Sequence, residues 1–358
     1  MTYSQERVNE TRQFEVDCVK VLAILFMVII HVYEEISTVN IDALPEGFFH
    51  NFLQFMAGPL AAPMFMFAMG LGTIYTSKRS PEEIMKRGLK IFIASYILNI
   101  ARSAIPYLIG VKLFGTPYDQ SLLIYELFNI DILQFAGLSL IAIGFFKKLG
   151  LSLEFVGIIA VLLLIISPIL SDVVPHEGNI NYFYGLFFYT FYASYFPFTL
   201  WFIYPVAGML FAKYLKHIND LDKFYKGVLY VSIIVIIGSI FGFKYYGFDI
   251  RTFYTIAQDI YYRQTFVSFL FALSCVLCEL SIFHFIRIKS NSKIEKVVKY
   301  ISTNLTNIYY IQWLFVGWLK SLFGFVVDVP FIIPMGLLIA FASLAIVYLI
   351  DLRRTPAK

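Results

Sequence analysis

Charged residues are scarce in this sequence. Of its 358 residues only 15% are Asp, Glu, Lys or Arg, whereas 59% are hydrophobic, and the mean hydropathy is +0.75. Soluble domains carry about 25% charged residues, so this composition excludes an ordinary soluble protein and predicts a polytopic integral membrane protein. No polar block of domain size interrupts the apolar runs, and we therefore expect a single integral membrane domain over residues 1–358.

Cysteine is also rare, and its three occurrences all fall at or inside apolar runs. Cys275 and Cys278 have the C-x-x-C spacing of a redox motif, but their setting, FALSCVLCEL, favours buried helix packing. The sequence shows no disulfide framework, zinc-ligand pattern, glycine-rich phosphate loop or nucleic-acid-binding module. We therefore expect neither a metal cofactor nor a nucleic-acid partner.

Apolar runs long enough to cross a bilayer as helices recur along the whole chain. They predict an all-α bundle of ten transmembrane helices, at residues 17–35, 52–76, 88–108, 127–146, 151–171, 196–215, 227–244, 265–286, 298–319 and 330–350. The run NYFYGLFFYTFYASY, residues 181–195, is aromatic but short. It is consistent with an interfacial segment, a re-entrant segment or an eleventh span. We favour the interfacial alternative, because eleven spans would spoil the charge asymmetry described next.

Lysine and arginine are distributed unevenly between the two sides of the predicted bundle. With ten spans, 22 of the 28 Lys and Arg residues fall on the side of both termini. The other six fall on the opposite side and at its span ends: Arg102, Lys112, Lys244, Arg251, Arg263 and Lys320. The positive-inside rule therefore predicts cytoplasmic termini in a cell membrane, with 1–16 as the N-terminal segment and 352–358 as the tail. No small-residue cleavage site follows the run 17–35, so we expect it to be an uncleaved first span rather than a signal peptide.

The first span, DCVKVLAILFMVIIHVYEE, carries ionisable residues along one face. Lys20 and His31 are eleven residues apart, which places them within about 20° of azimuth and about 16 Å of each other along a helix. Asp17 and Glu35 point in a similar direction, and Glu34 and Glu35 are spaced to orient or charge the imidazole. A stripe of this kind is expensive against lipid, so we expect it to face the bundle interior or a wet cavity.

A plainer interpretation of this stripe stays open. Asp17 and Lys20 are consistent with an interfacial ion pair, and Glu34 and Glu35 with the water-exposed end of the helix. His31 differs from these four, because it is flanked by FMVII and VY. An ionisable group in such surroundings is a functional-site candidate in a membrane protein.

Several stretches resemble the transmembrane acyltransferases of the acyltransferase-three superfamily. The first, RQFEVDCVKVLAILFMVIIH, is similar to a signature in which Arg or Lys is followed by ten residues and then His, here Lys20 and His31. Others resemble, in order, the branch that contains heparan-α-glucosaminide N-acetyltransferase and its bacterial relatives: AAPMFMFAMGLGTIYTS, KRGLKIF, NIDILQFAGLSLI, YFPFTLWFIYPVAGMLF and STNLTNIYYIQWLF. Two departures are Gln312, where many acyltransferases have His, and a Pro-Trp pair that is split into Pro197 and Trp201.

The resemblance implies an enzyme of the bacterial plasma membrane. An acyl group, usually acetyl, would pass from a cytoplasmic acyl-CoA to a hydroxyl or amine of a glycan, glycolipid or similar acceptor on the other side. CoA is a polyanion, so basic residues near the cytoplasmic mouth are candidates for binding it. These are Lys20 with its neighbour Asp17, and Arg79, Lys86, Arg87 and Lys90. Lys20 and Arg87 match motif positions, whereas positive-inside topology alone explains the other three equally well.

His31 is the candidate catalytic residue, either as a general base towards the acceptor or as a transient acyl carrier. His50, in PEGFFHNFLQF, is its competitor, because the heparan branch carries a catalytic His one residue away from this position; the alternative is an interfacial helix start. Asp131, Asn307 and Gln312 are candidate acceptor-binding residues, although buried amides more often join helices.

Two other classes of protein stay open. A secondary transporter also buries ionisable residues, but it would show two related halves, and we find no convincing internal repeat. A non-catalytic membrane scaffold is consistent with the same fold. The expected partners are acyl-CoA, a glycan or lipid-linked acceptor and membrane lipids, and the sequence leaves a homodimer open.

Overall fold

The computed structural model describes residues 4, 6–41, 43–76, 80–191, 194–255, 261–286 and 292–354. These residues form sixteen α-helices, and the β-structure among them is limited to two isolated bridges. The helices are α1 (Phe14–Glu35), α2 (Gly47–Ala57), α3 (Ala62–Tyr75), α4 (Pro81–Asn99), α5 (Ile105–Phe114), α6 (Gln120–Phe128), α7 (Ile132–Lys148), α8 (Leu153–Val173), α9 (Asn181–Tyr184), α10 (Phe198–Trp201), α11 (Ile203–Leu215), α12 (Leu221–Tyr245), α13 (Phe266–Phe285), α14 (Ser292–Thr303), α15 (Leu305–Phe323) and α16 (Ile332–Arg354).

Eight helical segments among the described residues are long and apolar enough to cross a membrane. They are Phe14–Glu35, Gly47–Tyr75, Pro81–Phe114, Leu153–Val173, Phe198–Leu215, Leu221–Tyr245, Phe266–Phe285 and Val329–Arg354. The two remaining predicted spans correspond to α7, with 17 residues, and α15, with 19 residues. The prediction of an all-α polytopic bundle is confirmed. Below, the N side is the side of the bundle that holds the start of α1, and the far side is the opposite one.

Four predicted spans are not continuous helices: 52–76, 127–146, 196–215 and 298–319. In 196–215, a turn at Phe202 separates α10 from α11. The second span divides into α2 and α3 over residues 58–61, where a Gly-Pro pair interrupts the helix. The fourth begins only at Ile132, because the Asp131 side chain caps α7 there and accepts a 2.7 Å hydrogen bond from the Ile132 backbone N–H. The ninth divides at Asn304, between the amphipathic α14 and α15.

The third predicted span contains a wide turn, the π-helical segment Ile100–Ala104 between α4 and α5. Pro106 has no N–H to donate to the carbonyl four residues earlier, so the hydrogen-bond ladder is displaced at this point. In the π register the N–H of Ile105 donates to the carbonyl of Ile100, five residues earlier. The carbonyl of Ala101, which would face Pro106 in this register, accepts a 2.9 Å hydrogen bond from the indole N–H of Trp318. The turn carries Arg102, which is buried.

The segment 181–195 does not form an eleventh span in its described part. Asn181–Tyr184 is a helix of 4 residues, and turns follow it. A helix of this length extends only about 6 Å, whereas the hydrocarbon layer is about 30 Å thick. A continuous helical span is therefore excluded there.

Helix α1 lies at the centre of the bundle. It contacts α2, α3, α13, α14, α15 and α16. Asp17 and His31 of its polar face are buried, so the stripe faces protein rather than lipid, as the sequence predicts.

Helices α3 and α11 pack against each other at two glycines. A Cβ added at Gly70 would lie 1.8 Å from the carbonyl oxygen of Pro205, and one at Gly208 would lie 2.0 Å from that of Phe67. The two backbones can approach this closely only because neither glycine has a side chain. This contact holds α3, one wall of the N-side cavity described below, against the rest of the bundle.

The variant Gly70→Ala should lower the free energy of unfolding by about 1–3 kcal/mol, because the added methyl group meets a backbone oxygen that cannot turn aside. Gly72→Ala on the same helix is the matched control, since its Cβ would have nothing within 4 Å. Thermal unfolding of both purified variants in detergent is the measurement. Equal midpoints for the two would contradict this packing.

Candidate active site

A cavity of about 510 Å³ lies beside the second half of α1 and reaches its end. Three of the helix interruptions, at 58–61, 100–104 and 129–131, contribute to its wall. Irregular backbone is tolerated at membrane depth where it lines a cavity. The cavity is also rich in aromatic side chains: Tyr125, Tyr195, Tyr254, Tyr261, Tyr262, Tyr309 and Trp313. We call it the far-side cavity.

His31 stands in the wall of the far-side cavity with its ring held on two sides. Its Nδ1 lies 3.1 Å from Oε1 of Gln312, and its ring lies 4.0 Å from the ring centre of Trp313. In the neutral imidazole, an Nδ1–H that donates to Gln312 leaves Nε2 with a free lone pair. Gln312, which the sequence suggested as an acceptor ligand, therefore orients His31.

Arg102 and Asp131 form a buried ion pair in the same wall. Arg102 Nη1 lies 2.9 Å from Asp131 Oδ2, and Nη2 donates to Asn129 Oδ1 at 3.2 Å. Tyr309 donates to the same carboxylate oxygen at 2.8 Å. The Arg102 guanidinium also lies 4.1 Å from the ring centre of Trp313, and such a contact is attractive. Trp313 thus connects this ion pair to His31.

The two glutamates at the end of α1 have different surroundings. Glu35 forms an ion pair with Lys320 at 2.6 Å. Glu34 lines the far-side cavity, and no described residue hydrogen-bonds to its carboxylate. Glu34 is therefore the carboxylate that is free to interact with a bound molecule.

His50 is set back from the far-side cavity. It lies on α2, with its Nδ1 3.0 Å from the hydroxyl of Tyr33, and it is not part of the cavity wall. The structure thus gives the two candidate histidines different positions, and only His31 borders the cavity.

A second cavity, of about 600 Å³, lies on the N side of α1. Lys20 and Arg87 line it, and its deeper wall is apolar and includes Ile24 and Leu133. We call it the N-side cavity. The polar face of α1 therefore borders the N-side cavity at its start and the far-side cavity at its end.

Asp17 lines the N-side cavity, but its carboxylate is already occupied. It accepts hydrogen bonds from Arg12 Nη2 at 2.8 Å and from Ser302 Oγ at 2.6 Å. Lys20 lies farther away, with its Nζ 4.0 Å from Asp17 Oδ1. Because Arg12 and Ser302 occupy the Asp17 carboxylate, the Lys20 ammonium is left available for an anionic ligand.

A smaller pocket of about 390 Å³ adjoins the N-side cavity and shares Arg87 and Thr76 with it. Lys86 and Lys90 complete its basic wall. The structure thus brings together three of the basic residues suggested by the sequence. Of the other two, Lys20 lines the N-side cavity, and Arg79 lies outside the described residues. We call this pocket the basic pocket.

Asn307 is not part of the wall of either cavity. It is exposed on α15 and donates a 3.2 Å hydrogen bond to Asn304 Oδ1. Asp131 borders the far-side cavity, as the sequence suggested, although it is fully engaged with Arg102 and Tyr309.

Sequence reasoning did not include Arg102 and Trp313 in the site. Arg102 had a detectable signal, because it is a charged residue deep within the apolar third span. Trp313 had no such signal in the sequence, since aromatic residues are common throughout this chain.

A model of the family described as heparan-alpha-glucosaminide N-acetyltransferase, catalytic, matches residues 12–240, which is more than half of the chain. The chain belongs to this family. A search of curated proteins and a search of solved structures each found no match.

Membership in this N-acetyltransferase family indicates a membrane acetyltransferase. The matched region contains His31, Arg87, Arg102 and Asp131, whereas α15, which supplies Gln312, lies beyond it. The part of the site that holds the His31 ring in place thus comes from outside the family match.

The variant Arg102→Leu should lower the free energy of unfolding by about 3–5 kcal/mol, because it leaves the buried Asp131 without its cation. Adding Asp131→Asn should recover part of the loss, since the uncompensated charge is then gone. Lys320→Leu is the control: its ion pair with Glu35 is partly exposed, so its loss should cost at most about 1 kcal/mol. Thermal unfolding in detergent tests the series, and equal losses for Arg102→Leu and Lys320→Leu would contradict a buried pair.

Proposed function

We propose that this protein transfers an acetyl group from acetyl-CoA, bound on the N side, to an amine of a glycan or lipid-linked acceptor in the far-side cavity. The positive-inside prediction places the N side in the cytoplasm, where acetyl-CoA is found. The observation that carries the proposal is the position of His31. Gln312 and Trp313 hold its ring in the wall of the far-side cavity, and other residues of that wall also line the N-side cavity.

The two N-side pockets suit the two parts of CoA. The phosphates are strongly anionic, and Lys86, Arg87 and Lys90 of the basic pocket offer charge-assisted hydrogen bonds to them. The pantetheine arm is long and only weakly polar, and it fits the apolar depth of the N-side cavity. Since the pocket and the cavity share Arg87, one donor molecule can occupy both.

The far-side cavity favours a cationic, sugar-like acceptor. Its wall carries four carboxylates, Glu34, Glu35, Glu126 and Asp131, against two permanent cations, Arg102 and Lys320. Glu35 and Asp131 are already paired with Lys320 and Arg102. An acceptor ammonium would provide Glu34 and Glu126 with the ion-pair partner that no described residue supplies. The aromatic rings of the same wall are suited to pack against sugar rings. The family description, a glucosaminide N-acetyltransferase, supports an amine rather than a hydroxyl.

His31 is the proposed general base. The bound ammonium first gives one proton to the Glu34 carboxylate, which lines the same cavity. The neutral amine then attacks the thioester carbonyl, Nε2 takes the next proton that leaves the nitrogen, and the new C–N bond replaces the C–S bond. The imidazolium then returns this proton to the CoA thiolate, so that the products are the acetylated amine and free CoA. Gln312 keeps the Nδ1 proton in place throughout, and Trp313 stabilises the transient imidazolium through its ring face.

Replacing His31 by Ala should lower the rate of transfer about 10²–10⁴-fold, because the general base is lost. The assay uses purified protein in vesicles, labelled acetyl-CoA and an amino-sugar acceptor, with the hydroxyl analogue of the acceptor in parallel. His50→Ala is the matched comparison and should leave the rate within a few fold of the wild-type value. A rate that depends on His50 and not on His31 would overturn the assignment. Absence of both donor binding and transfer would instead favour a transporter or a scaffold.

The variant Arg87→Gln should raise KM for acetyl-CoA about tenfold, because one charged contact to phosphate is lost. The kcat value should stay within a few fold, since Arg87 lies away from the reacting atoms. Lys148→Gln is the control: this N-side lysine is exposed and does not line the basic pocket. A change in kcat with no change in KM would argue against a phosphate site at Arg87.

A further inference from the structure

The far-side and N-side cavities are separated by a thin partition of three side chains. Met27 of α1, Ile132 of α7 and Tyr309 of α15 each line both cavities. All three are buried, with exposed fractions of 5%, 7% and 5%. We call these residues the septum. No other described residue is shared by the two walls.

Two of the three septum residues are hydrogen-bonded to the same carboxylate, that of Asp131. The Tyr309 hydroxyl donates to Asp131 Oδ2 at 2.8 Å, and the backbone N–H of Ile132 donates to Asp131 Oδ1 at 2.7 Å. Arg102 in turn holds Asp131 through a 2.9 Å ion pair. The third residue, Met27, lies four positions before His31 on α1, directly towards the N side, and its unbranched side chain adapts readily to a moving neighbour.

We propose that Tyr309 is a gate between the two cavities, with Asp131 as its latch. The proposal rests on the proposed function, in which the acetyl group has to pass from the N-side cavity to His31. In the closed state the Tyr309 ring fills the space between Met27 and Ile132. Rotation of the ring breaks its hydrogen bond to Asp131 and joins the two cavities.

A closed gate would protect the thioester of the bound donor from hydrolysis. Water from the far side would compete with the acceptor for the thioester if the cavities were always joined. Because the latch is a single hydrogen bond to a carboxylate that Arg102 already neutralises, the hydroxyl can leave without exposing an unpaired buried charge. The gate can therefore open while the ion pair stays intact.

Cysteine accessibility tests the gate without donor or acceptor. Ala136 lines the N-side cavity one helical turn beyond Ile132, and Ala136→Cys is a small change. In a background with Cys18→Ala, Cys275→Ala and Cys278→Ala, the protein is placed in vesicles of known orientation and treated with a membrane-impermeant methanethiosulfonate cation. The cysteine should react from the N side and only slowly from the far side.

Adding Tyr309→Ala should raise the far-side labelling rate by about an order of magnitude. Tyr309→Phe keeps the ring but loses the latch, and it should give a smaller rise. Tyr310→Ala is the matched control, because Tyr310 is the next residue on α15 and lines neither cavity. If Tyr309→Ala does not fold, Ile132→Ala opens the same septum and carries the same expectation.

Unchanged far-side labelling in every folded septum variant would overturn the gate. Equal labelling of the Ala136→Cys protein from both sides, with its septum unmodified, would overturn it as well. Labelling that rises equally in Tyr310→Ala would overturn it too, since the effect would then not belong to the septum. These results are independent of acetyl transfer. The gate can therefore fail while the acetyltransferase activity stands, and the reverse is equally detectable.

Discussion

The Asp131 carboxylate accepts hydrogen bonds from three separate elements of the bundle: the first N–H of α7, the guanidinium of Arg102 and the hydroxyl of Tyr309 on α15. A buried carboxylate needs such partners, because an unpaired charge in the interior costs several kcal/mol. The requirement places the π-helical turn beside the start of α7 and brings α15 against both. Through Trp313, which lies between Arg102 and His31, the same carboxylate sets the position of the imidazole.

Three of the helix breaks lie at the same cavity, and this explains why a membrane protein tolerates them there. The interruptions at 58–61, 100–104 and 129–131 all border the far-side cavity. Backbone groups released there find partners within the protein: the carbonyl of Ala101 accepts from Trp318, and the carbonyl of Asn129 accepts from the side-chain amides of Asn99 and Gln134. Away from this cavity, long helices such as α8 and α12 continue without a break. Irregular backbone and polar chemistry thus occupy the same part of the fold.

The sequence predicts the parts of this arrangement that depend on one helix at a time. Apolar runs identify ten helical regions, and helical spacing places Lys20 and His31 on one buried face of α1. The partners of these residues were not predictable, because Gln312 meets His31 across 281 positions of the chain, and periodicity says nothing of such pairs. The break before α7 was hidden for a related reason: the residues around Asn129 are apolar enough to continue a span, whereas Asp131 caps α7 and pairs with Arg102 at this point.

The central claim is that a CoA-bound donor occupies the N side and presents its acyl group to His31. The most direct measurement is an electron cryo-microscopy map of the reconstituted protein with CoA. The account predicts density for the phosphates beside Lys86, Arg87 and Lys90, with the pantetheine arm in the N-side cavity and its sulfur at the septum, towards His31. Density for CoA in the far-side cavity, or an N-side cavity left empty at saturating CoA, would contradict it.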